Sequence, residues 1–291
     1  MTKHTITGVQ RASVFSPNHI YNDAAIFSGV ADYIREKGYI VVTLTEEEFL
    51  STSENPEFVF TMLRSRNALK RLQQWEDKGC ISVNSAKAIG NCEREYMTLL
   101  LQKHNVPSPD SIIVDTHENV IPLLEQHKYT SCWLKRGDFH AIHREDVSYA
   151  RHSEEVQGML AEYALRGINR VVINEHIEGD LVKFYGVAGS PFFYWFYPFD
   201  NKHSKFGFEK INGKAKGIPF DEEKLRDICN RAAEALQLIV YGGDCIVSPD
   251  GAIRIIDFND WPSFAPCRKE ATHAIGDAIL KELKIKSFID Y

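Results

Sequence analysis

The sequence predicts an α/β (α+β) protein, with a parallel α/β sheet near the N-terminus and α+β structure that includes two hairpins after it. Three observations carry this expectation. Over roughly the first ninety residues, strand and helix signals alternate in βαβα order, the pattern of a parallel sheet with covering helices. Beyond Pro107 and Pro109 the pattern turns to hairpins, one around Gly189-Ser-Pro and one around Pro249-Asp250-Gly251. A chain of 291 residues is also too long for one small core and suggests about two domains.

Thr7 to Phe15 reads as the first strand. A helix follows, capped by Asn22 or Asp23, with Ala24, Phe27, Ala31 and Ile34 on one face and Gly38 as its stop. Tyr39 to Leu44 is a second strand, and an acidic helix spans Glu46 to Leu50. Phe58 to Leu63 is a third strand. Ala68, Leu72 and Trp75 mark a helix ended by Gly79, and Ile81 to Val83 is a fourth strand. A helix from about Asn91 to His104 carries the stripe Tyr96, Met97, Leu100 and Leu101, so a boundary falls between Cys92 and Pro109. Cys132 to Lys135 is a strand ending in a lysine. Ser153 caps a helix striped by Val156, Leu160, Tyr163 and Ala164. Arg170 onward is a strand that runs into a polar turn at Glu178 to Asp180. Leu181 to Ala188 and Phe192 to Tyr197 form a hairpin. Leu225, Ile228, Cys229, Ala232, Ala233 and Leu236 lie on one helix face, and the tail from Ala271 is a helix expected on the outside.

Composition narrows the function. The formal net charge of −6 argues against broad nucleic-acid or anionic-membrane binding. No apolar run approaches the roughly 20 residues of a membrane span, and the N-terminus lacks a signal-peptide pattern. The six cysteines are scattered without a Cys-x-x-Cys pair, as expected of reduced core thiols in a cytoplasmic protein.

The stretch from Tyr241 to Phe264 concentrates the chemistry. A two-residue loop at Asp250-Gly251 would set Asp244 opposite Asp257, and Asp257 shares a strand face with Asn259. Three oxygen ligands on one hairpin face suit a hard cation such as Mg2+. A three-residue loop would instead turn Asp244 away from Asp257. Asp257 ends the apolar run Ile253 to Phe258, where a carboxylate is costly unless paired or metal-bound. Arg64 and Arg66 follow the third strand at its carboxyl end, where open α/β sheets bind ligands, and a carboxylate or phosphate would suit them. The loop from Asp200 to Gly217 carries Lys202, His203, Lys205, Lys210, Lys214 and Lys216, a local positive charge that favours anionic phosphates.

Taken in order, these signatures resemble the ATP-grasp enzymes over most of the chain. Val83-Asn84-Ser85, Cys92-Glu-Arg94 and Asn105 to Pro109 resemble the segment leading into the family's central domain. Trp133-Leu-Lys135 resembles the strand whose lysine touches the ATP phosphates. Ile173 to Glu178 resembles the adenine hinge, and Asp244, Asp257 and Asn259 match the magnesium-holding acid, acid and asparagine. The resemblance implies an N-terminal α/β domain (1–91), a central lobe (92–175) and a C-terminal lobe with the metal site (176–291), the two lobes clamping ATP. It implies ATP with Mg2+, or Mn2+ in its place. Glu175 would accept from the adenine amino group, backbone at His176 and Ile177 would read the ring edge, and Glu178 would take the ribose hydroxyls, with Asp180 as runner-up. Arg94 falls where the family usually has a second phosphate lysine, a departure that keeps the charge.

Two reactions follow from the resemblance. The N-terminal half is similar to ribosomal-protein glutamate ligases and glutathione synthetases. A carboxylate would then be activated as an acyl phosphate and passed to an amine or thiol, with Arg64 on the acceptor carboxylate and Lys183 stabilising developing charge. Inositol trisphosphate 5/6-kinases share the fold, and Gly179 to Tyr185 and Asp257 to Pro262 resemble their strands. In that reading His140 orients a phosphorylated acceptor. In either reading Arg64, Arg66, His203 and Lys205 bind the substrate, and the basic loop from Lys202 to Lys216 suits a phosphorylated substrate and closure over ATP equally. Either way the partner is a small, anionic acceptor, with neither nucleic acid nor membrane involved. A homodimer is expected because relatives are often dimers. The ligase is the first expectation and the kinase the alternative.

Overall fold

The computed structural model describes residues 5–139, 144–198, 211 and 213–289. The βαβα alternation folds as its periodicity requires. Strands β1 (Thr5–Val9), β2 (Ile40–Leu44), β3 (Phe58–Thr61) and β4 (Ile81–Val83) form one sheet in the order β2-β1-β3-β4, every pair parallel. Helices α1 (Ile20–Glu36), α2 (Glu46–Ser51) and α3 (Arg66–Glu76) connect them. The capping box Thr45–Glu48 starts α2, and the Ser65 hydroxyl accepts from Ala68 N–H to start α3. Gly38 and Gly79 end α1 and α3 at φ of 93° and 94°, a conformation that costs glycine little.

Some boundaries differ from expectation. The first strand stops at Val9, and Ser13–Phe15 is a 3-10 turn. Asn22 and Asp23 do not cap α1. The helix begins at Ile20, and the Asp23 carboxylate is taken by Arg11 at 3.1 Å. Ala24 is exposed on that helix, while Phe27, Ala31 and Ile34 are buried.

Two short helices, α4 (Ala86–Gly90) and α5 (Arg94–Lys103), follow β4. Met97 and Leu101 of α5 are buried, but Tyr96 is 57% exposed, because the stripe rotates away from it. The middle sheet is antiparallel, ordered β5-β8-β6-β7, from β5 (Ser111–Asp115), β6 (Cys132–Arg136), β7 (Val147–Ala150) and β8 (Arg170–Glu175). Helices α6 (Ile121–His127) and α7 (Val156–Leu165) cover it through Leu124, Val156, Leu160 and Tyr163. Ser153 opens a 3-10 turn before α7 and makes no cap bond to it.

The third sheet is antiparallel in the order β10-β9-β11-β12, built from β9 (Asp180–Val187), β10 (Phe193–Phe196), β11 (Val240–Val247) and β12 (Ile253–Asp260). Helix α8 (Glu222–Leu236) buries its predicted stripe from Leu225 to Leu236 in one core with α5 residues Met97 and Leu101. The tail is a single helix, α9 (Arg268–Ile289), and it is not an outer layer. Ala271, Ile275, Ile279 and Leu283 share a core with Ala31 and Ile34 of α1 and with Val187 and Val240 of the third sheet. All six cysteines are buried, unbridged thiols. No helix among the described residues is long and apolar enough to cross a membrane.

Candidate active site

The β11–β12 hairpin reaches the predicted register by an unexpected route. Ser248 N–H donates to Ala252 O at 2.9 Å, and Gly251 N–H to Ser248 O at 2.8 Å, so Pro249, Asp250 and Gly251 form a three-residue loop. Such a loop by itself turns Asp244 away from Asp257. Pairing runs Val247↔Ile253, Ile246↔Arg254 and Cys245↔Ile255, then shifts to Asp244↔Asp257. Ile256 is therefore an extra residue in β12, a β-bulge that restores the two acids to opposite positions. Asp257 and Asn259, two apart beyond the bulge, share a face as expected.

The bulge also frees a carbonyl. Lys135, at the end of β6 in the middle sheet, donates from Nζ to Ile256 O at 2.9 Å. Arg94 opens α5, and its Nη1 lies 2.9 Å from Asp257 Oδ1. Lys183 sits on β9 directly opposite Asp244 and pairs with it at 2.7 Å. Three cations from three elements thus meet one hairpin face. Opposed carboxylates would repel, and these cations supply the compensating charge. Burial pulls the Lys135 pKa down to about 7. Arg94 beside it adds to the drop, and Asp257 and Asp244 offset part of it. Two carboxylates and an amide oxygen on one face are the donor set a hard cation takes. Among the described residues no group of three His, Cys, Asp or Glu is placed to hold a metal ion, at this hairpin or beyond it.

The predicted hinge lies at the end of β8. Glu175 exchanges two bonds with Asp110: its N–H donates to Asp110 O at 2.9 Å, and its Oε1 accepts from Asp110 N–H at 3.0 Å. His176 N–H donates to Ser131 O at 3.1 Å. The His176 ring accepts at Nδ1 from Trp133 Nε1 at 3.1 Å and lies 5.1 Å from the Tyr149 ring. Burial lowers its pKa, in keeping with a neutral ring that accepts. Ile177 is half-buried and Glu178 exposed. Asp180 is buried and receives Lys216 N–H and Ile218 N–H, both at 2.7 Å, so it anchors the end of the basic loop.

No family model matches the sequence, and no curated protein does. Solved structures do match. D-alanine–D-alanine ligase from Bacillus anthracis, complexed with ATP, superposes with a TM-score of 0.69 at 14% identity, covering 97% of this chain and 99% of that one. The ATP-grasp ligase PsnB, complexed with a minimal precursor, gives 0.61 at 16% identity over 96% and 99%. D-cycloserine synthetase DcsG gives 0.65 at 14% identity over 94% and 99%. The chain has the ATP-grasp fold.

Within the ATP-grasp fold the predicted residues divide. Lys135, Arg94, Lys183, Asp244 and Asp257 converge on the bulged hairpin. Asn259 lines the adjoining cleft together with Lys183, Asp244 and Arg64. Arg64 and Arg66 do not act as one clamp. Arg64 is buried and pairs with Asp260 Oδ1 at 3.0 Å, whereas Arg66 is exposed and donates to Asp138 O at 2.8 Å. His140, His203 and Lys205 lie outside the described residues.

Sequence reasoning missed three residues. Arg11 lies just past β1 and is buried by Asp23 at 3.1 Å, Asp260 at 3.6 Å and Trp261 O at 3.0 Å. Burial, with Arg64 nearby, lowers its pKa. Asp260, fully buried, ties the end of β12 to Arg11 and Arg64 of the first lobe. Asn84, also buried, donates to Val240 O at 2.8 Å and accepts from Ile239 and Val240 N–H at 2.8 and 3.0 Å. It thereby fixes the start of β11 to the first sheet. An arginine past an apolar strand and an acid beside Asn259 were the available signals for the first two.

Proposed function

We propose that the protein is a Mg-ATP-dependent ligase that activates a carboxylate as an acyl phosphate and passes it to an amine or thiol. The observation that carries this is the bulged hairpin, on which Lys135, Arg94 and Lys183 meet Asp244 and Asp257. The fold adds support, because its solved neighbours include ligases captured with ATP or with magnesium and ADP.

In this reading ATP lies between the middle and C-terminal lobes, taken as residues 92–175 and 176–291, with 1–91 as the N-terminal domain. Glu175 keeps one carboxylate oxygen for the adenine amino group, backbone at His176 and Ile177 reads the ring edge, and Glu178 takes the ribose. Arg94 holds phosphate oxygens as a fixed charge, and Lys135 joins it as the phosphate returns its proton. Asp244, Asp257 and Asn259 would hold magnesium, which neutralises triphosphate charge when bound. Lys183 exchanges its carboxylate partner for charge developing on the transferred phosphoryl group.

The acceptor carboxylate oxygen attacks the γ-phosphorus, the bond to the β–γ bridging oxygen breaks, and ADP leaves. The amine or thiol then attacks the acyl carbon and inorganic phosphate departs. Arg64 faces the acceptor side of the cleft. A homodimer of cytoplasmic residence completes the proposal. The kinase alternative draws on His140 and the basic loop, and no contact of the described residues adds to it.

Calorimetry with Mg-ATP tests the nucleotide step; no binding would end this reading. Incubation with candidate carboxylates and amines, followed by mass spectrometry, tests the ligase step. A stable phosphorylated product formed without an amine would defeat it.

A further inference from the structure

A second groove opens at the carboxyl end of β1 and β2 in the first lobe. It shares Arg11, Ser16 and Asp23 with the cleft beside Asp244 and so continues it. Ile20, Ala24, Phe27 and Met62 supply apolar wall, and Glu46 and Glu47 line the groove as well. Glu46 is only 8% exposed, and its Oε2 is buried with no hydrogen-bond partner.

A buried carboxylate oxygen without a partner is costly, the more so when the group is charged. Arg11, the groove's own cation, cannot relieve it. Its guanidinium is already engaged by Asp23, Asp260, Trp261 O and Met62 O. The capping bonds at this helix start belong to Thr45 and Glu48, and Glu46 makes none of them. What fits an apolar wall ending at an uncompensated acid is an ammonium on an alkyl stem: the stem lies on Ile20 and Met62, and the charge meets Glu46.

We propose that this groove is an alkylammonium subsite, with Glu46 as its charge partner, continuous with the catalytic cleft. It rests on the ligase reading for what the bound amine does there. An ammonium of this kind can belong either to the carboxylate acceptor or to the amine co-substrate.

The test titrates hexylamine, 6-aminohexanoate and hexanoate into the full chain by calorimetry, with Mg-ATP titrated separately. The two amines should bind the wild type about tenfold or more tightly than hexanoate, a difference of roughly 1.4 kcal/mol or more. Glu46→Gln should erase that preference. Preferential binding of 6-aminohexanoate over hexylamine assigns the ammonium to the acceptor, and equal binding assigns it to the co-substrate; both support the subsite. No preference for the amines, or a preference that survives Glu46→Gln, overturns it. Should Glu46→Gln not fold, Ala24→Lys, on an exposed position of the groove wall, places an internal ammonium there. It must weaken both amines, and unchanged affinity overturns the proposal. Amine binding without Mg-ATP binding would defeat the ligase reading alone, whereas Mg-ATP binding without amine preference would defeat the subsite alone.

Discussion

Replacing Lys135 by methionine should stabilise the ligand-free protein while removing its hold on nucleotide. The Lys135 side chain is 8% exposed and its pKa falls from the ordinary 10.5 to about 7. A drop of that size corresponds to roughly 5 kcal/mol at about 1.4 kcal/mol per unit, a ceiling on what charging this lysine costs the fold. Between about pH 7 and 10.5 the native lysine is neutral and the unfolded one is protonated. The unfolded chain therefore binds more protons, and stability rises with pH through that window. Methionine keeps the stem and drops the charge. It also loses the bond to Ile256 O, worth about 1 kcal/mol. At pH 6.5 the variant should be more stable by about 2–4 kcal/mol, with the gap narrowing as pH rises. Urea unfolding from pH 6.5 to 9.5 checks this: the wild-type profile should be steeper by up to about 1.4 kcal/mol per pH unit. Phosphate binding should return the proton to Lys135, so Mg-ATP binding at pH 8 should take up about 0.9 proton, measured by calorimetry in two buffers. Parallel pH profiles, or a variant less stable at pH 6.5, would refute the reasoning. Unchanged ATP affinity in the variant would remove Lys135 from the site.

Asp257→Ala should abolish turnover and leave Arg94 without its 2.9 Å partner, at a cost of about 1–3 kcal/mol after allowance for the carboxylate's partial exposure; surviving activity in a product assay would show the metal assignment to be wrong. Asn84→Ala removes three bonds to the start of β11 and should cost about 2–4 kcal/mol in urea unfolding, with weakened Mg2+ dependence of ATP binding. Wild-type stability in that variant would exclude a positioning role for Asn84. Gly243→Ala would drive a methyl group into Asp257 O and the Phe184 ring, so the hairpin must shift. A loss of activity far larger than the loss in melting temperature is expected, and retained activity would show that the Asp257 backbone tolerates displacement.

Much of the candidate site was legible because its residues sit on elements with strong local signals. Lys135 ends an apolar strand, and Asp257 interrupts one. The parallel first sheet followed from βαβα alternation, and the stripe of α8 from its 3.6-residue period. Errors fell where a distant partner decides. Asp23 looked like a helix cap, but Arg11 claims its carboxylate. Tyr96 looked like part of a buried stripe, but the partner surface meets Met97 and Leu101 instead. The tail looked like an outer helix because an amphipathic pattern does not say what covers its apolar face.

By itself the sequence determined the order of the elements, the acids of the hairpin and the cations that lie near them, since charge type and hydrophobic period are local properties. Only the tertiary structure decided the rest. The three-residue loop and the bulge at Ile256 are errors of register in opposite directions that cancel, and neither turn chemistry nor periodicity registers a cancellation. The Ile256 carbonyl is common to every residue until a bulge leaves it free for Lys135. Arg11 and Asp260 lie 249 positions apart, and their pairing exists only because the first sheet and the β11–β12 hairpin share one wall of the cleft.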